Sequence, residues 1–307
     1  MEGIMKVLDF KGFDDYQIKL HVWDDVVSPK AVIQLSHGMA EHLLRYDDFA
    51  KFLNRNGYIV LGEDHRVHGK TAVGKLGIVE DWDCFSATVQ DLALITDYAI
   101  KEYNLPVILF GHSYGSFLSQ LYIQLFSDKI KGVVLSGTAL QAPFLSKVVS
   151  GLAGLQIAFC GKEKPAKMIT KIAFGPFDKQ FKDEATKNSW LSRDPELVKK
   201  YNEDPESGFT CSLGFFKSMG KNMKSMYKKE NIDKIRKDLP IFVVCGSSDP
   251  VGGNGKTVLQ LIELYKRNGI QDVKCKLYEN ARHEVLNEIN KNEVYADILS
   301  FINSIVK

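Results

Sequence analysis

The sequence lacks the two features that would place it in or across a membrane. No stretch approaches the ~20 consecutive apolar residues that a membrane-spanning helix needs. The N-terminus reads Met-Glu-Gly-Ile-Met-Lys, with an acid where a signal peptide is basic and no apolar core behind it. We therefore expect a globular protein of the cytoplasm without a transmembrane helix.

Cysteine is scarce, and its spacing shows no pattern. An odd, scattered set without a Cys-x-x-Cys pair argues against a disulfide framework and against a zinc site. We expect each cysteine to be a small buried hydrophobe in a reducing compartment. The five are Cys84, Cys160, Cys211, Cys245 and Cys275.

Neither sign of charge dominates, since 40 basic and 38 acidic residues give a net charge of +2. A protein that binds nucleic acid normally carries a larger and more clustered basic excess. This balance argues against nucleic acid as a partner, and nothing in the sequence fixes an oligomeric state.

Short apolar strands alternate with amphipathic helices along most of the chain. This alternation predicts a mostly parallel sheet with helices on both faces, preceded by a hairpin. The predicted strands are 5–10, 16–23, 31–36, 58–62, 106–110, 132–136, 241–245 and 273–278, and the clearest helices are 46–56, 83–102, 256–268 and 292–306. The eight strands and their helices form an α/β fold.

The alternation stops between residues 140 and 235. A gap of this length is too long for a simple connection and should carry structure of its own. It contains Trp190, many lysines and eight of the 18 phenylalanines. We predict a helical insertion that lies over the sheet. Its phenylalanines are Phe144, Phe159, Phe174, Phe177, Phe181, Phe209, Phe215 and Phe216.

The segment Gly111-His112-Ser113-Tyr114-Gly115 carries the strongest chemical signal. The pattern G-x-S-x-G is short, but here an apolar strand precedes it and an amphipathic helix follows. A sharp strand–turn–helix junction exposes the serine hydroxyl at the top of the sheet. The context therefore predicts that Ser113 is a nucleophile, rather than an incidental serine in a glycine-rich turn.

A serine nucleophile needs a base, and in this architecture an acid and then a histidine follow the serine along the chain. Of the seven histidines only His283 lies after Ser113. It follows the strand 273–278, so we predict that it is the base.

Two carboxylates compete for the role of the acid that orients His283. Asp249 follows the strand 241–245, at the edge where such sheets assemble their sites. Glu279 is closer in sequence but still belongs to the end of its strand. We prefer Asp249 and keep Glu279 as the alternative.

Acyl transfer also needs donors for the oxyanion that develops. In this architecture they are the backbone N–H after the nucleophile and one in the loop after the third strand. These positions are occupied by Tyr114 and by Met39.

Five motifs together resemble the monoacylglycerol lipase and lysophospholipase group, which includes the serine aminopeptidase-like α/β hydrolases. The resemblance implies an α/β-hydrolase core (1–139 and 236–307) under a helical cap (140–235), cleavage of carboxylic esters, and no cofactor or metal. Val67 departs from the group, which usually has glycine there. The motifs are 37–42 (His-Gly-Met-Ala-Glu-His), 64–69 (Asp-His-Arg-Val-His-Gly), 111–115, 246–255 and 280–284 (Asn-Ala-Arg-His-Glu).

The phenylalanine-rich insertion favours a fatty-acyl ester, such as a monoacylglycerol or a lysophospholipid, as the small-molecule substrate. It also allows a transient contact of the cap with a membrane surface. Two alternatives stay open. The chain could be a serine aminopeptidase, which would need buried cap carboxylates such as Glu163, Asp178, Asp183 or Glu184 to bind an amino group. It could also be a ligand receptor that retains a triad without catalysis.

Overall fold

The computed structural model describes residues 5–79, 83–141, 143–181, 184 and 186–306, with 143–146 by their backbone only. It contains eight strands and, in these ranges, ten α-helices. The strands are β1 Lys6–Lys11, β2 Gln17–Trp23, β3 Ala31–Ser36, β4 Tyr58–Glu63, β5 Val107–His112, β6 Gly132–Ser136, β7 Ile241–Gly246 and β8 Val273–Tyr278. The helices are α1 Asp47–Arg55, α2 Cys84–Tyr103, α3 Tyr114–Phe126, α4 Pro143–Cys160, α5 Lys167–Gln180, α6 Pro195–Glu203, α7 Leu213–Met226, α8 Lys229–Ile232, α9 Lys256–Arg267 and α10 Lys291–Ile305.

All eight strands belong to one sheet in the order β1-β2-β4-β3-β5-β6-β7-β8. The first two form an antiparallel hairpin, and β2 also pairs antiparallel with β4. From β4 to β8 every pairing is parallel. The mostly parallel, eight-stranded sheet predicted from the alternation is therefore confirmed.

Helices cover both faces of the sheet and bury its central strands completely. Every residue of β3, β5 and β6 is buried, as expected for strands packed on both faces. The N-terminus of α2 is capped by Asp83, whose carboxylate accepts a hydrogen bond from the Ser86 N–H at 3.3 Å.

The long gap between β6 and β7 contains α4 to α8, as predicted for a helical insertion. Within it α4 packs along α7, and α7 also packs against α2 of the core. None of the helices in the described ranges combines the length and the apolar character that crossing a membrane would require.

The prediction that every cysteine is buried was wrong for two of them. Cys84, Cys211 and Cys245 are buried, whereas Cys160 and Cys275 are exposed, and all five are free thiols. Cys160 ends α4, and Cys275 lies on β8, the last strand of the sheet, where no further strand covers it. Edge and terminal positions are not visible in the spacing of cysteines, which explains the error.

Candidate active site

Ser113 lies at the junction between β5 and α3, at the carboxyl end of the sheet. Its backbone adopts φ +50° and ψ −116°, a conformation that residues other than glycine rarely adopt. The turn is tight on both sides. A Cβ at Gly115 would collide with the Ser36 carbonyl oxygen, and one at Gly111 would collide with the Ser119 hydroxyl. The two glycines therefore allow the close strand–helix approach that the sequence predicted.

Asp249 and His283 form a buried pair beside this junction. The His283 Nδ1 lies 3.0 Å from Asp249 Oδ2, and both side chains are almost completely buried. The Val251 N–H donates to Asp249 Oδ1 at 2.8 Å, and the Cys245 thiol donates to Oδ2 at 3.2 Å. The alternative acid, Glu279, is exposed at the end of β8.

The two charges stabilise each other against the cost of burial. Burial alone would lower the pKa of His283, but the charge and hydrogen bond of Asp249 raise it above the ordinary 6.5. Burial would likewise raise the pKa of Asp249, but the His283 interaction and the Cys245 and Val251 donors hold it below its usual value. Since Nδ1 faces a carboxylate, the neutral imidazole carries its proton there and leaves Nε2 free to act as a base.

Ser113 and His283 line the same cavity. In the ranges that the structure describes, no hydrogen bond joins the Ser113 hydroxyl to the imidazole. Catalytic hydrogen bonds are often long or misaligned before substrate binds. Gly137 makes room for the imidazole, because a Cβ there would lie 2.9 Å from His283 Cε1.

The second histidine beside the base, His112, stays neutral. Its ring centroid lies 4.9 Å from that of His283, and its Nδ1 lies 3.2 Å from the Ser136 hydroxyl. Burial, together with the nearby His283, lowers the pKa of His112 to about 3. It therefore supplies packing beside the base and no second positive charge.

Two backbone donors lie near Ser113: the N–H of Met39, in the loop after β3, and the N–H of Tyr114, at the start of α3. Gly38 lies against Ser113, since a Cβ at Gly38 would be 3.3 Å from the Ser113 Cβ. The Gly38 N–H is already donated to the Glu41 carboxylate. Among the described residues, no acceptor faces the N–H of Met39 or that of Tyr114. In the part of the chain that the structure describes, the N–H groups of Met39 and Tyr114, predicted as the oxyanion donors, therefore have no acceptor within the protein.

Below this loop lies a buried ion network that the sequence analysis missed. The Arg45 guanidinium binds Glu41 and also binds Glu284 at 2.8 and 2.7 Å. Glu41 in turn accepts hydrogen bonds from the Gly38 N–H and the Tyr46 hydroxyl. Because Glu284 follows His283, the network connects the loop after β3 to the loop that contains His283. Glu41 and Glu284 both lie in the quoted motifs, which was the available signal.

Two cavities of different character meet at Ser113. One, of about 220 Å³, is almost entirely apolar. The other, of about 450 Å³, contains many polar groups and also reaches His283 and Met39. Three of the eight insertion phenylalanines line the apolar cavity: Phe174, Phe177 and Phe216. We name the two spaces the acyl cavity and the polar cavity.

The insertion is hydrogen-bonded to both loops of the site. The His283 N–H donates to the Trp190 carbonyl at 3.3 Å, and the Glu284 N–H donates to the Leu191 carbonyl at 2.7 Å. On the other side the Gly208 N–H donates to the Ala40 carbonyl at 2.8 Å. The position of the insertion is therefore coupled to that of His283 and of the loop after β3.

Of the cap carboxylates considered for an aminopeptidase, those that the structure describes do not converge on one point of the cavity that contains Ser113. Glu163 is exposed, and Glu184 forms an ion pair with Arg282. Asp183 lies outside the described residues. Asp178 alone among the described three lines the polar cavity, where it accepts a hydrogen bond from the Asn188 N–H at 3.0 Å.

Several known lipases and esterases are similar to this chain in sequence and fold. A monoacylglycerol lipase of Mycolicibacterium smegmatis is 29% identical over 96% of this chain and 96% of its own length. The human monoglyceride lipase is 29% identical over 92% of this chain and 85% of its own. The crystal structure of a highly thermostable carboxyl esterase from Bacillus coagulans, in complex with glycerol, superimposes with a TM-score of 0.90 at 28% identity, covering 99% of both chains. Together they confirm the α/β-hydrolase fold.

The family model described as "Serine aminopeptidase, S33" matches residues 27–290. That range holds the serine junction, the buried Asp–His pair and the whole insertion. The chain therefore belongs to the serine aminopeptidase S33 family of α/β hydrolases.

Proposed function

We propose that this chain is a carboxylic ester hydrolase that works through Ser113, His283 and Asp249. The observation that carries the proposal is the buried Asp249–His283 pair, which opens onto the cavity that contains Ser113. The relatives named above are lipases and an esterase, and they support ester cleavage. A ligand receptor would have no need for free oxyanion donors beside a strained serine.

The geometry supports a two-step reaction. As the Ser113 Oγ attacks the ester carbonyl carbon, its proton passes to His283 Nε2, and Asp249 stabilises the imidazolium. The carbonyl oxygen becomes an oxyanion bound by the N–H groups of Met39 and Tyr114. His283 then protonates the departing alcohol, which leaves an acyl-serine. A water molecule activated by the same histidine releases the carboxylic acid and restores Ser113.

The substrate fits the two cavities in one orientation. An apolar acyl chain would occupy the acyl cavity, and the alcohol part would occupy the polar cavity. Two of the relatives are named for monoacylglycerol, an ester with this division. We therefore propose a monoacyl ester as substrate, with residues 140–235 as a cap over a core of 1–139 and 236–307.

The pH dependence should report the titration of His283. The base acts only when neutral, and its pKa is raised above 6.5. We therefore expect kcat/KM to fall on acidification, with an apparent pKa above 6.5 and a tenfold loss per pH unit well below it. The measurement uses a slow, chemistry-limited p-nitrophenyl ester between pH 5 and 9. A flat profile from pH 5 to 8 would contradict the assignment of the base.

Activity should rise with acyl-chain length. Each methylene that enters an apolar cavity contributes up to ~0.8 kcal/mol, which is up to about fourfold in kcat/KM when it is realised in the transition state. We expect kcat/KM on p-nitrophenyl or glycerol esters to climb from acetate to octanoate. Aminoacyl anilides should be poor substrates. An aminopeptidase needs cap carboxylates that bind the amino group of its substrate, and of the described candidates Asp178 alone borders the polar cavity.

A matched variant tests whether the acyl cavity is the cause. Ala173 is half-buried on α5 and lines this cavity. Ala173→Trp should reduce kcat/KM on octanoate far more than on acetate, so the acetate ester serves as the internal control. Equal losses on both esters would show that the chain binds elsewhere. Preference for an aminoacyl anilide over every ester would support the aminopeptidase alternative.

We also propose that the cap contacts a lipid surface. Leu155 is 61% exposed and Phe159 is 83% exposed, one turn apart on α4, and Lys162 and Lys164 follow the helix. Apolar side chains next to lysines are typical of segments that bind anionic membranes. Sedimentation with vesicles of phosphatidylcholine and phosphatidylserine should retain the wild type and lose much of Phe159→Ser. Equal retention of both proteins would contradict this contact.

A further inference from the structure

Helix α5 separates the two cavities and presents a different face to each. Its apolar residues Ile169, Ile172 and Ala173 line the acyl cavity. Its polar side, with Lys167, Thr170 and Lys171, lines the polar cavity. Lys167 and Lys171 are one helical turn apart and therefore lie on the same side of α5. Asp178, near the end of the same helix, also lines this cavity, so the α5 wall that would face the alcohol part of a substrate carries two lysines and one carboxylate and is positive on balance.

A third lysine lines the same cavity from outside α5. Lys187 lies in the segment that leads to Trp190, and both residues border the polar cavity. All three lysines are exposed, and within the described ranges none has a carboxylate partner in an ion pair. Three lysines that border one cavity therefore have no carboxylate partner among the described residues and are available for a ligand.

The negative groups of the polar cavity are, in contrast, satisfied by the protein. Glu41 and Glu284 share the Arg45 guanidinium, and Glu284 also accepts a hydrogen bond from Asn287. Asp178 accepts a hydrogen bond from the Asn188 N–H. Among the described residues of the insertion that line the cavity, it is the one carboxylate. The outer part of the polar cavity therefore has an excess of positive charge.

From this charge distribution we infer that the enzyme prefers monoacyl esters whose alcohol part carries an anionic group such as a phosphate. The inference rests on the proposed ester hydrolysis and on the proposed orientation of the substrate. A glycerol head group would leave the three ammonium groups solvated and gain nothing from them. A phosphate beyond the glycerol carbons would bind them, while Glu41 and Glu284 are already paired with Arg45. A substrate ammonium would be repelled.

The test compares two soluble esters that differ only in the phosphate group: monooctanoylglycerol and monooctanoylglycerol 3-phosphate. Both are used as monomers, below the concentration at which they aggregate, so that no lipid surface takes part. Release of octanoate gives kcat/KM for each. Exposed ion pairs contribute up to about fivefold each, so we expect the phosphate ester to be favoured about tenfold at low ionic strength. High salt should reduce this ratio, because salt screens exposed charges.

Variants assign the preference to the lysines. Lys167→Gln/Lys171→Gln should lower the ratio of phosphate to neutral ester about fivefold, and Lys187→Gln should lower it further. Lys199→Gln/Lys200→Gln, on exposed positions of α6 that do not border the polar cavity, is the matched control and should keep the ratio of the wild type.

Three results would overturn the inference. The wild type could show no preference for the phosphate ester, the α5 variant could lose activity equally on both esters, or the α6 control could lower the ratio as much as the α5 variant. In each case cleavage of the neutral ester would leave the proposed function intact. Failure to cleave either ester, together with no labelling of Ser113 by a fluorophosphonate, would instead remove the proposed function, and this inference with it.

Discussion

Ser113→Ala should reduce ester turnover by about 10⁴- to 10⁶-fold, the range found when a serine nucleophile that works with a histidine base is removed. The reason is chemical, since alanine keeps the Cβ at the strand–helix junction and removes only the attacking oxygen. Hydrolysis of p-nitrophenyl butyrate at pH 8 measures the loss. The fluorophosphonate label on the wild type should disappear with it.

A control with the same chemical change keeps this test specific. Ser119→Ala also removes a serine hydroxyl from α3, but that hydroxyl donates only to the Gly115 carbonyl within the helix. It should retain turnover within about tenfold, at a cost of about 1 kcal/mol in the free energy of unfolding. His283→Ala should match Ser113→Ala, because the two groups act as a unit. Near-normal turnover of a folded Ser113→Ala would show that another residue is the nucleophile.

The sequence predicted the members of the site whose signals are local. Ser113 has a strand before it and a helix after it, and His283 is the last histidine of the chain and follows a strand. Parallel strands bring their carboxyl ends to one edge of the sheet, so residues at those ends meet whatever their separation along the chain. That rule also placed Asp249 beside His283.

The buried ion network could not be predicted in the same way. Arg45 and Glu284 are 239 positions apart, and both lie beyond the ends of their strands. Their pairing depends on how two loops pack, which spacing and periodicity do not encode. From the sequence alone, Glu284 next to His283 could equally be a charged residue exposed to solvent. Only the structure shows that Glu284 is buried and paired with Arg45. Arg45 also binds Glu41, which connects the pair to the loop after β3.

The phenylalanines of the insertion show the limit of composition as evidence. Phe215 is buried against the Tyr114 ring, at 5.0 Å between centroids, and so supports the nucleophile's neighbour rather than a cavity. Phe181 lies over the Arg282 guanidinium, while Phe159 is exposed. The side chain of Phe144 lies outside the described residues. Composition therefore predicted apolar walls correctly for part of the set, and it could not say which phenylalanines form them.

At Val67 the sequence departs from the group that it resembles, and the structure shows a left-handed backbone conformation there. The residue has φ +62° and is buried, although a β-branched side chain disfavours this left-handed conformation. Glycine, which the resemblance to the lipase group implies at this position, would adopt it without cost. The neighbouring Arg66 forms an ion pair with Asp91, and Asp64 accepts the Leu43 and Lys70 N–H groups. Packing around the loop thus maintains a conformation that the local sequence opposes.

Asp249→Asn should lower kcat by about 10⁴-fold, because an amide at this position favours the wrong tautomer of the histidine. In the wild type the carboxylate accepts the Nδ1–H of His283 and so leaves Nε2 free for the Ser113 proton. An asparagine that donates its amide N–H to Nδ1 would move the imidazole proton to Nε2, where it would block the transfer. Because the Val251 N–H can still donate to the remaining amide oxygen, the loop should keep its conformation. Glu279→Gln makes the same change from carboxylate to amide at the exposed alternative, outside the buried Asp249–His283 pair, and should leave kcat near the value of the wild type. Steady-state kinetics of both variants on one p-nitrophenyl ester, with their melting temperatures, decide between the two acids. A severe loss in Glu279→Gln beside an unaffected Asp249→Asn would transfer the role to Glu279.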